Sequence, residues 1–206
     1  MNWRKLSRRL HLWSGLSAGL LLIVTALTGS VLVFYIEIDR ALHTEISTYQ
    51  RETDPDWDTI LRTLRTQYPD KTGSWRFEVT TNQGAIPARY FNPQETEGRN
   101  FAPLMVWLTA DGKQILRQDF WGDTLMTWLY DLHYQLLLNN TGAKIIGWFG
   151  LVAAVMLLTG LLAWWPRKGQ WLKALRFKRR NSAIGLLYDW HKLLGLFFII
   201  PLLLLC

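Results

Sequence analysis

The sequence predicts a membrane all-α helical bundle of three spans, with a small external α+β domain between the first two spans. Three apolar blocks predict the spans, and they cover residues 12–36, 145–165 and 183–206. A helix of about 20 apolar residues crosses the hydrocarbon core of a bilayer, so each block is long enough to enter it as a span. The stretch between the first two blocks, 37–144, carries 15 acidic and 11 basic side chains, which indicates a folded domain outside the bilayer.

The composition excludes several classes of protein. Half of the 206 residues are hydrophobic, which a disordered chain could not be, and the single Cys cannot form an internal disulfide. The net charge of +7 would also suit nucleic-acid binding, but the basic clusters flank the apolar blocks. We therefore attribute the charge to membrane topology, with lipid as the partner and no role for nucleic acid.

Residues 1–11 are predicted to be a cytoplasmic N-terminus and residues 12–36 the first span. The N-terminal segment carries four basic and no acidic side chains. A cleaved signal peptide is disfavoured, because the apolar run exceeds the roughly 7–15 residues of a signal-peptide core and no A-x-A-like site follows it. We therefore expect an uncleaved span with its N-terminus on the cytoplasmic side.

Residues 37–121 are predicted to fold outside the membrane as one helix followed by a small antiparallel sheet. Apolar residues recur at helical spacing from Trp57 to Tyr68, after an acidic segment that suits a helix start. Strand-like runs follow at 75–80, 88–91, 104–109 and 114–120. The last two flank Asp111-Gly112, which is typical of a hairpin turn.

The remainder of the chain returns to helix. Residues 122–144 predict a helix at the outer membrane surface and a turn at 139–142. The second span, 145–165, is followed by a cytoplasmic loop, 166–182, with seven basic and no acidic side chains. The third span, 183–206, is expected to be incomplete, because the 15 residues after His191 form only about 23 Å of helix.

Two histidines repeat a spacing that suits a haem site. His11 is followed by Gly15 and His191 by Gly195, so both read His-x-x-x-Gly. On a helix the glycine lies one turn after the histidine on the same face, which leaves a slot for a flat macrocycle. Both histidines fall at the predicted cytoplasmic end, so the pair is a candidate for bis-imidazole ligation of one haem iron. Interface decoration and close helix packing are the alternative for the same spacing.

The other two histidines lie elsewhere. His133 falls in the predicted outer helix, so it would need a second haem and a second ligand. His43 follows the first span and is interpreted as a loop or helix-end residue. Arg8, Arg9 and Lys192 are interface anchors by default, and they are candidate partners for haem propionates.

The sequence resembles the PepSY-associated transmembrane proteins, a group that includes iron-regulated inner-membrane proteins and ferric-siderophore reductases. The resemblance covers nearly the whole chain, and the external region looks like a PepSY-type α+β domain. The matching motifs are, in order, Arg8-Arg9-Leu10-His11 with Gly15 and Gly19, Leu27-Thr28-Gly29, Tyr130-Asp131-Leu132-His133, Leu158-Thr159-Gly160, Trp164-Trp165-Pro166, and Trp190-His191 with Gly195. Each motif alone is weak, but their recurrence in this order is fairly specific to the group.

The resemblance implies a haem-b oxidoreductase in the bacterial inner membrane. It assigns His11 and His191 to the iron of an inner haem and His133 to that of an outer one. Electrons from an unidentified cytoplasmic donor would cross the membrane and, in some members, reduce ferric siderophores in the periplasm. The sequence has no Cys-x-x-Cys-His, so any haem is non-covalent.

Other interpretations stay open. The family usually continues through another Thr-Gly element and often a fourth span, so we expect a fragment or a shortened member. The competing class of function is a non-enzymatic, membrane-anchored PepSY module that binds or regulates a partner. A haem carrier that passes electrons to quinone or to a partner protein is the third possibility.

Overall fold

The computed structural model of the protein describes residues 3–79, 84–177 and 182–205. Within these residues, three helices are long and apolar enough to cross a membrane, which identifies a multi-pass membrane protein. They are α1 (Trp3–Leu32), α6 (Asn139–Trp164) and α8 (Ala183–Leu205). Residues 1–2, 80–83, 178–181 and 206 lie outside the described ranges, and they include Thr80 of a predicted strand, three basic residues of the predicted loop, and Cys206.

The chain divides into two compact units. The helical unit comprises Met1–Val24 and Lys144–Cys206, and the sheet unit comprises Thr25–Ala143. The shorter helices are α2 (Tyr35–Leu42), α3 (Thr44–Ser47), α4 (Trp57–Gln67), α5 (Leu125–Gln135) and α7 (Trp171–Leu175), with one 3-10 turn at Gln94–Thr96. The strands are β1 (Trp75–Phe77), β2 (Ile86–Tyr90), β3 (Leu104–Leu108) and β4 (Ile115–Phe120).

The helical unit exposes its apolar side chains. Trp13 and Leu16 of α1 are 69% and 65% exposed, and Ile184 of α8 is 83% exposed. Apolar surface of this kind along a 30-residue helix is stable only against lipid. The apolar residues of these helices are therefore their membrane surface rather than a protein core.

The helix bounds differ from the apolar blocks at two places. Helix α1 begins at Trp3, inside the basic N-terminal segment, and ends at Leu32, before the apolar run does. The expected turn at 139–142 is instead the first turn of α6. The chain breaks earlier, at Leu136 and Leu137, whose φ angles are 53° and 58°. A left-handed residue after α5 ends that helix, and leucine gives no sequence indication of this conformation.

The sheet unit has the predicted helix and antiparallel sheet. Helix α4 begins after Asp56, whose side chain accepts a hydrogen bond from the Thr59 amide. Its apolar face buries Ile60 and Leu64 completely against strand residues such as Val106. Burial of these side chains holds the helix on one face of the sheet, which has the order β1-β2-β3-β4.

The hairpin between β3 and β4 depends on one glycine. Gly112 has a φ of +67°, and a Cβ at this position would lie 2.5 Å from the Ile60 amide nitrogen. Its carbonyl also accepts a hydrogen bond from the Thr63 hydroxyl at 2.6 Å. The turn therefore needs glycine both for its backbone conformation and for its close approach to α4.

The opposite face of the sheet is polar. Arg117 of β4 has a side chain only 6% exposed, paired with Asp119 and 3.7 Å from Asp39 of α2. Its guanidinium carbon lies 4.7 Å from the centroid of the Trp107 ring. Helices α2 and α3 cover this face, so the sheet carries an apolar core on one side and a charged layer on the other.

Candidate functional site

His11 and His191 come together in the helical unit. His11 lies on α1 and His191 on α8, and their ring centroids are 5.8 Å apart with planes tilted by 54°. Their positions in the sequence are 180 residues apart, so the pairing is made by helix packing alone. The structure thus brings two of the three proposed haem ligands into one place.

A backbone carbonyl orients His11. The His11 Nδ1 atom lies 2.9 Å from the carbonyl oxygen of Met156 on α6. Because a carbonyl only accepts, Nδ1 carries the proton in this hydrogen bond and Nε2 keeps the lone pair of a neutral imidazole. The same carbonyl accepts from the Thr159 hydroxyl at 3.0 Å. Such a hydrogen bond fixes the tautomer that a metal-binding histidine uses.

The His11 ring rests against the backbone of α6 at a glycine. A Cβ at Gly160 would lie 2.8 Å from His11 Cε1 and 3.0 Å from Nδ1, closer than real Cβ atoms approach such atoms. Any other residue at this position would therefore displace the ring. Gly160 is thus the glycine that makes room for His11 itself.

The two glycines predicted as haem slots lie in more open surroundings. A Cβ at Gly15 would meet only the Met156 sulfur, at 3.8 Å, among the residues that the structure describes. A Cβ at Gly195 would meet no described atom within 4 Å, and the same holds for Gly19. The contacts of these glycines are therefore compatible with space beside the histidine pair.

His133 has a similar environment in the sheet unit. Its Nδ1 atom lies 2.9 Å from the Thr28 hydroxyl oxygen, and that hydroxyl donates to the Thr25 carbonyl at 3.2 Å. The Thr28 hydroxyl can donate or accept, so the direction of its hydrogen bond with Nδ1 is set by the tautomer of His133. A Cβ at Gly29 would lie 2.9 Å from His133 Cε1.

The two histidine environments share a Leu-Thr-Gly motif, to which the sequence alone assigned no structural role. Leu27-Thr28-Gly29 on α1 receives His133, and Leu158-Thr159-Gly160 on α6 receives His11. In each case the glycine admits an imidazole and the threonine hydroxyl belongs to the hydrogen-bond network of its Nδ1. We call each Leu-Thr-Gly segment a histidine seat. The repeat of this motif is the signal in the sequence from which these two histidine contacts could have been predicted.

Helix α5 carries His133 next to a hydrogen-bonded carboxylate. Asp131 accepts a hydrogen bond from the Trp121 indole nitrogen at 3.0 Å. Burial raises the pKa of Asp131, although the Trp121 hydrogen bond and the nearby Arg99 act in the opposite direction. Asp131 therefore connects the second half of α5 to Trp121, in the chain segment that follows the sheet.

His43 has a structural contact. Its Nδ1 lies 2.8 Å from the Asp39 carbonyl oxygen and 3.2 Å from the Asp39 carboxylate, at the end of α2. This is the helix-end position expected from the sequence. Across residues 3–79, 84–177 and 182–205, no group of three or more His, Cys, Asp or Glu side chains is placed to hold a metal ion.

A protein-family model describes most of the chain. The family model described as the PepSY-associated TM region matches residues 8–206, which is nearly the whole chain. No curated protein matches the sequence.

Proposed function

The chain belongs to the family of the PepSY-associated TM region, and on that premise we propose that it is a haem-b oxidoreductase that carries electrons across a membrane. The observation that supports this most directly is the pairing of His11 with His191 at 5.8 Å. A haem held by two imidazoles is a low-spin centre that exchanges single electrons.

The residues present fit such a group in three respects. The ring centroids of His11 and His191 lie 5.8 Å apart, so both imidazoles would be within reach of one iron. The Met156 carbonyl leaves the Nε2 lone pair of His11 available. The glycine one turn after each histidine is uncrowded, since a Cβ at Gly15 or Gly195 would lie no closer than 3.8 Å to a described side chain.

Each of these residues would have a defined task. His11 and His191 would bind the iron of an inner haem, with Met156 and Gly160 holding His11 in one orientation. His133 would bind an outer haem from the second histidine seat, with a second ligand still to be identified. Charged residues near His11 and His191 remain candidates for the haem carboxylates.

We also propose the bacterial inner membrane as the location, with the N-terminus in the cytoplasm and the sheet unit in the periplasm. The distribution of basic residues supports this orientation. A cytoplasmic donor would then supply electrons, and a ferric siderophore is the proposed periplasmic acceptor. One electron converts Fe(III) to Fe(II), which binds the hard oxygen donors of a siderophore less tightly.

An absorption spectrum of the dithionite-reduced, full-length protein tests the proposal. We expect a b-type α-band in the wild type, its reduction in His11→Ala and His191→Ala, and no change in the matched control His43→Ala. A folded protein without any haem spectrum would overturn the proposal. A spectrum that survives both substitutions unchanged would overturn the assignment of the inner ligands.

A second candidate function rests on a different observation. The sheet unit contains a cavity of about 420 Å³ between its charged sheet face and helices α2 and α3. The lining side chains include Tyr35, Asp39, His43, Glu78, Arg89 and Trp107. A polar cavity of this size favours a membrane-anchored binding or regulatory module. Absence of haem together with binding of a peptide or other small polar ligand to this cavity would support the module instead.

A further inference from the structure

A second cavity, of about 370 Å³, lies in the helical unit where α6 ends. Five cationic side chains line this cavity. They belong to α1, to α8 and to the segment around α7, and they are Arg4, Arg8, Arg167, Lys173 and Lys192. Asp189 is the acidic residue among the described lining residues. We call this the basic cavity. With five cations and one carboxylate, its described lining has a net charge of +4.

The helical unit cannot neutralise this charge with its own carboxylates. The sequence of this unit contains a single acidic residue, Asp189, against 13 Lys and Arg. The Asp189 side chain is 1% exposed and already accepts from the Lys192 ammonium at 2.9 Å. The exposed side chains of Arg8, Arg167 and Lys173 are therefore accessible to an anion from outside the unit.

Hydrogen bonds fix part of the cavity wall in place. The Arg4 guanidinium donates to the Trp165 carbonyl at 2.9 Å, and the Lys192 ammonium donates to the Arg176 carbonyl at 3.2 Å. Arginine has five N–H donors in a fixed planar fork, so one contact to a carbonyl leaves geometry suited to a second acceptor. The cavity thus combines anchored cations with the exposed side chain of Arg8.

Aromatic residues place the cavity at the depth of lipid headgroups. Trp171 packs edge to face against Trp165 and Trp164, with ring centroids 5.2 and 5.7 Å apart. Trp164 and Trp165 line the cavity themselves, at the end of an apolar span. Tryptophan is enriched where the hydrocarbon core meets the headgroup region, and basic pockets between spanning helices bind anionic headgroups.

We propose that the basic cavity binds the phosphate group of an anionic membrane phospholipid, with Arg8, Arg167 and Lys173 as its charged partners. Arginine binds phosphate oxygens in bidentate pairs and lysine binds them as a point charge. A phospholipid is favoured over free phosphate because the cavity adjoins apolar helices that lie in lipid. This inference is independent of haem binding.

The test is native mass spectrometry of the full chain in neutral detergent, with phosphatidylglycerol, phosphatidylcholine and inorganic phosphate as probes. We expect the wild type to retain phosphatidylglycerol in preference to phosphatidylcholine. The double variant Arg8→Gln with Lys173→Gln should bind phosphatidylglycerol roughly 30-fold more weakly, since each surface cation contributes to the attraction. Arg9→Gln with Lys168→Gln is the matched control, because it removes the same charge from two neighbouring residues that do not line the cavity.

The possible results separate the explanations. Weaker binding of phosphatidylglycerol by the double variant, with unchanged binding by the control variant, would support the site. Equal losses in the two variants would mean non-specific attraction and would overturn it, as would equal binding of the two lipids. Equal competition by inorganic phosphate would overturn the lipid assignment. Displacement of the lipid on loading with haem would show that haem carboxylates occupy the cavity instead.

Discussion

The Nδ1 atom of His133 lies 2.9 Å from the Thr28 hydroxyl oxygen, and the next residue, Gly29, lets the ring lie against the backbone of α1. His11 meets Gly160 in the same manner, but its Nδ1 is held by the Met156 carbonyl. Each histidine ring therefore lies against the glycine of a Leu-Thr-Gly motif, but its Nδ1 contacts a side-chain hydroxyl in one case and a main-chain carbonyl in the other.

Replacement of Thr28 by valine should release His133. The substitution keeps the side-chain shape but removes the hydrogen-bond partner of the part-buried Nδ1, which costs about 0.5–1.5 kcal/mol. We expect the ¹⁵N chemical shifts of His133 to report a mixture of tautomers in Thr28→Val, and the wild-type tautomer in Thr28→Ser. Identical shifts in Thr28→Val and wild type would show that the hydroxyl does not set the tautomer.

Replacement of Gly160 by alanine should displace His11. The new Cβ would lie 2.8 Å from the ring, so the imidazole has to move. We expect reduced haem content and an altered α-band, measured on the purified protein. Gly147→Ala is the control on the same helix, because a Cβ there meets no described atom within 4 Å. Equal spectra for the two variants would refute the role of Gly160 as a positioning residue.

The raised pKa of Asp131 predicts a pH dependence of folding. The folded state binds this proton more tightly than the unfolded state, whose carboxyl has the ordinary value of 3.8. The contribution of Asp131 to stability is therefore greatest below that value and falls as the pH rises through the raised folded pKa. Asp131→Asn should lose less thermal stability than wild type between about pH 4 and pH 7.

Thermal unfolding midpoints at several pH values in one detergent would measure this effect. Parallel curves for wild type and Asp131→Asn would contradict the prediction, since the titration of Asp131 would then be the same in the folded and unfolded chain.

Gly112→Ala should destabilise the sheet unit more than Gly98→Ala. Both positions have positive φ, which costs roughly 1–2 kcal/mol for a residue with a side chain. Only Gly112 would also place a Cβ against the backbone of Ile60, whereas a Cβ at Gly98 meets no described atom within 4 Å. Denaturant unfolding monitored by tryptophan fluorescence would measure the free energy of unfolding of both variants. An equal decrease in the two variants would show that the new contact with α4 does not destabilise the sheet unit.

Much of the architecture could be predicted because it depends on local pattern. Apolar length predicts the spans, the strand-like runs that flank Asp111-Gly112 predict the hairpin, and helical spacing after Asp56 predicts α4. The end of α5 could not be predicted, because Leu136 and Leu137 adopt a conformation that leucine rarely adopts. Such a turn is imposed by its surroundings rather than by its own residues.

Some features of the candidate site could likewise be predicted from the sequence, and others could not. The sequence predicts that His11 and His191 lie near the cytoplasmic ends of their spans, and it also gives the spacing of each to Gly15 or Gly195 on its own helix. The contact of His11 with Gly160 could not be derived, because it depends on how α1 packs against α6. Spacing within one helix carries no information about the register between two helices.

The difference between the two histidine seats affects how each would respond to mutation. The Thr28 hydroxyl is a side-chain group, so a single codon change can abolish it. The acceptor for His11 is a main-chain oxygen, which every amino acid at position 156 would supply. A systematic substitution scan would therefore detect the role of position 28 in the seat of His133. The same scan would not detect the hydrogen bond at position 156, because substitution of Met156 leaves its main-chain carbonyl in place.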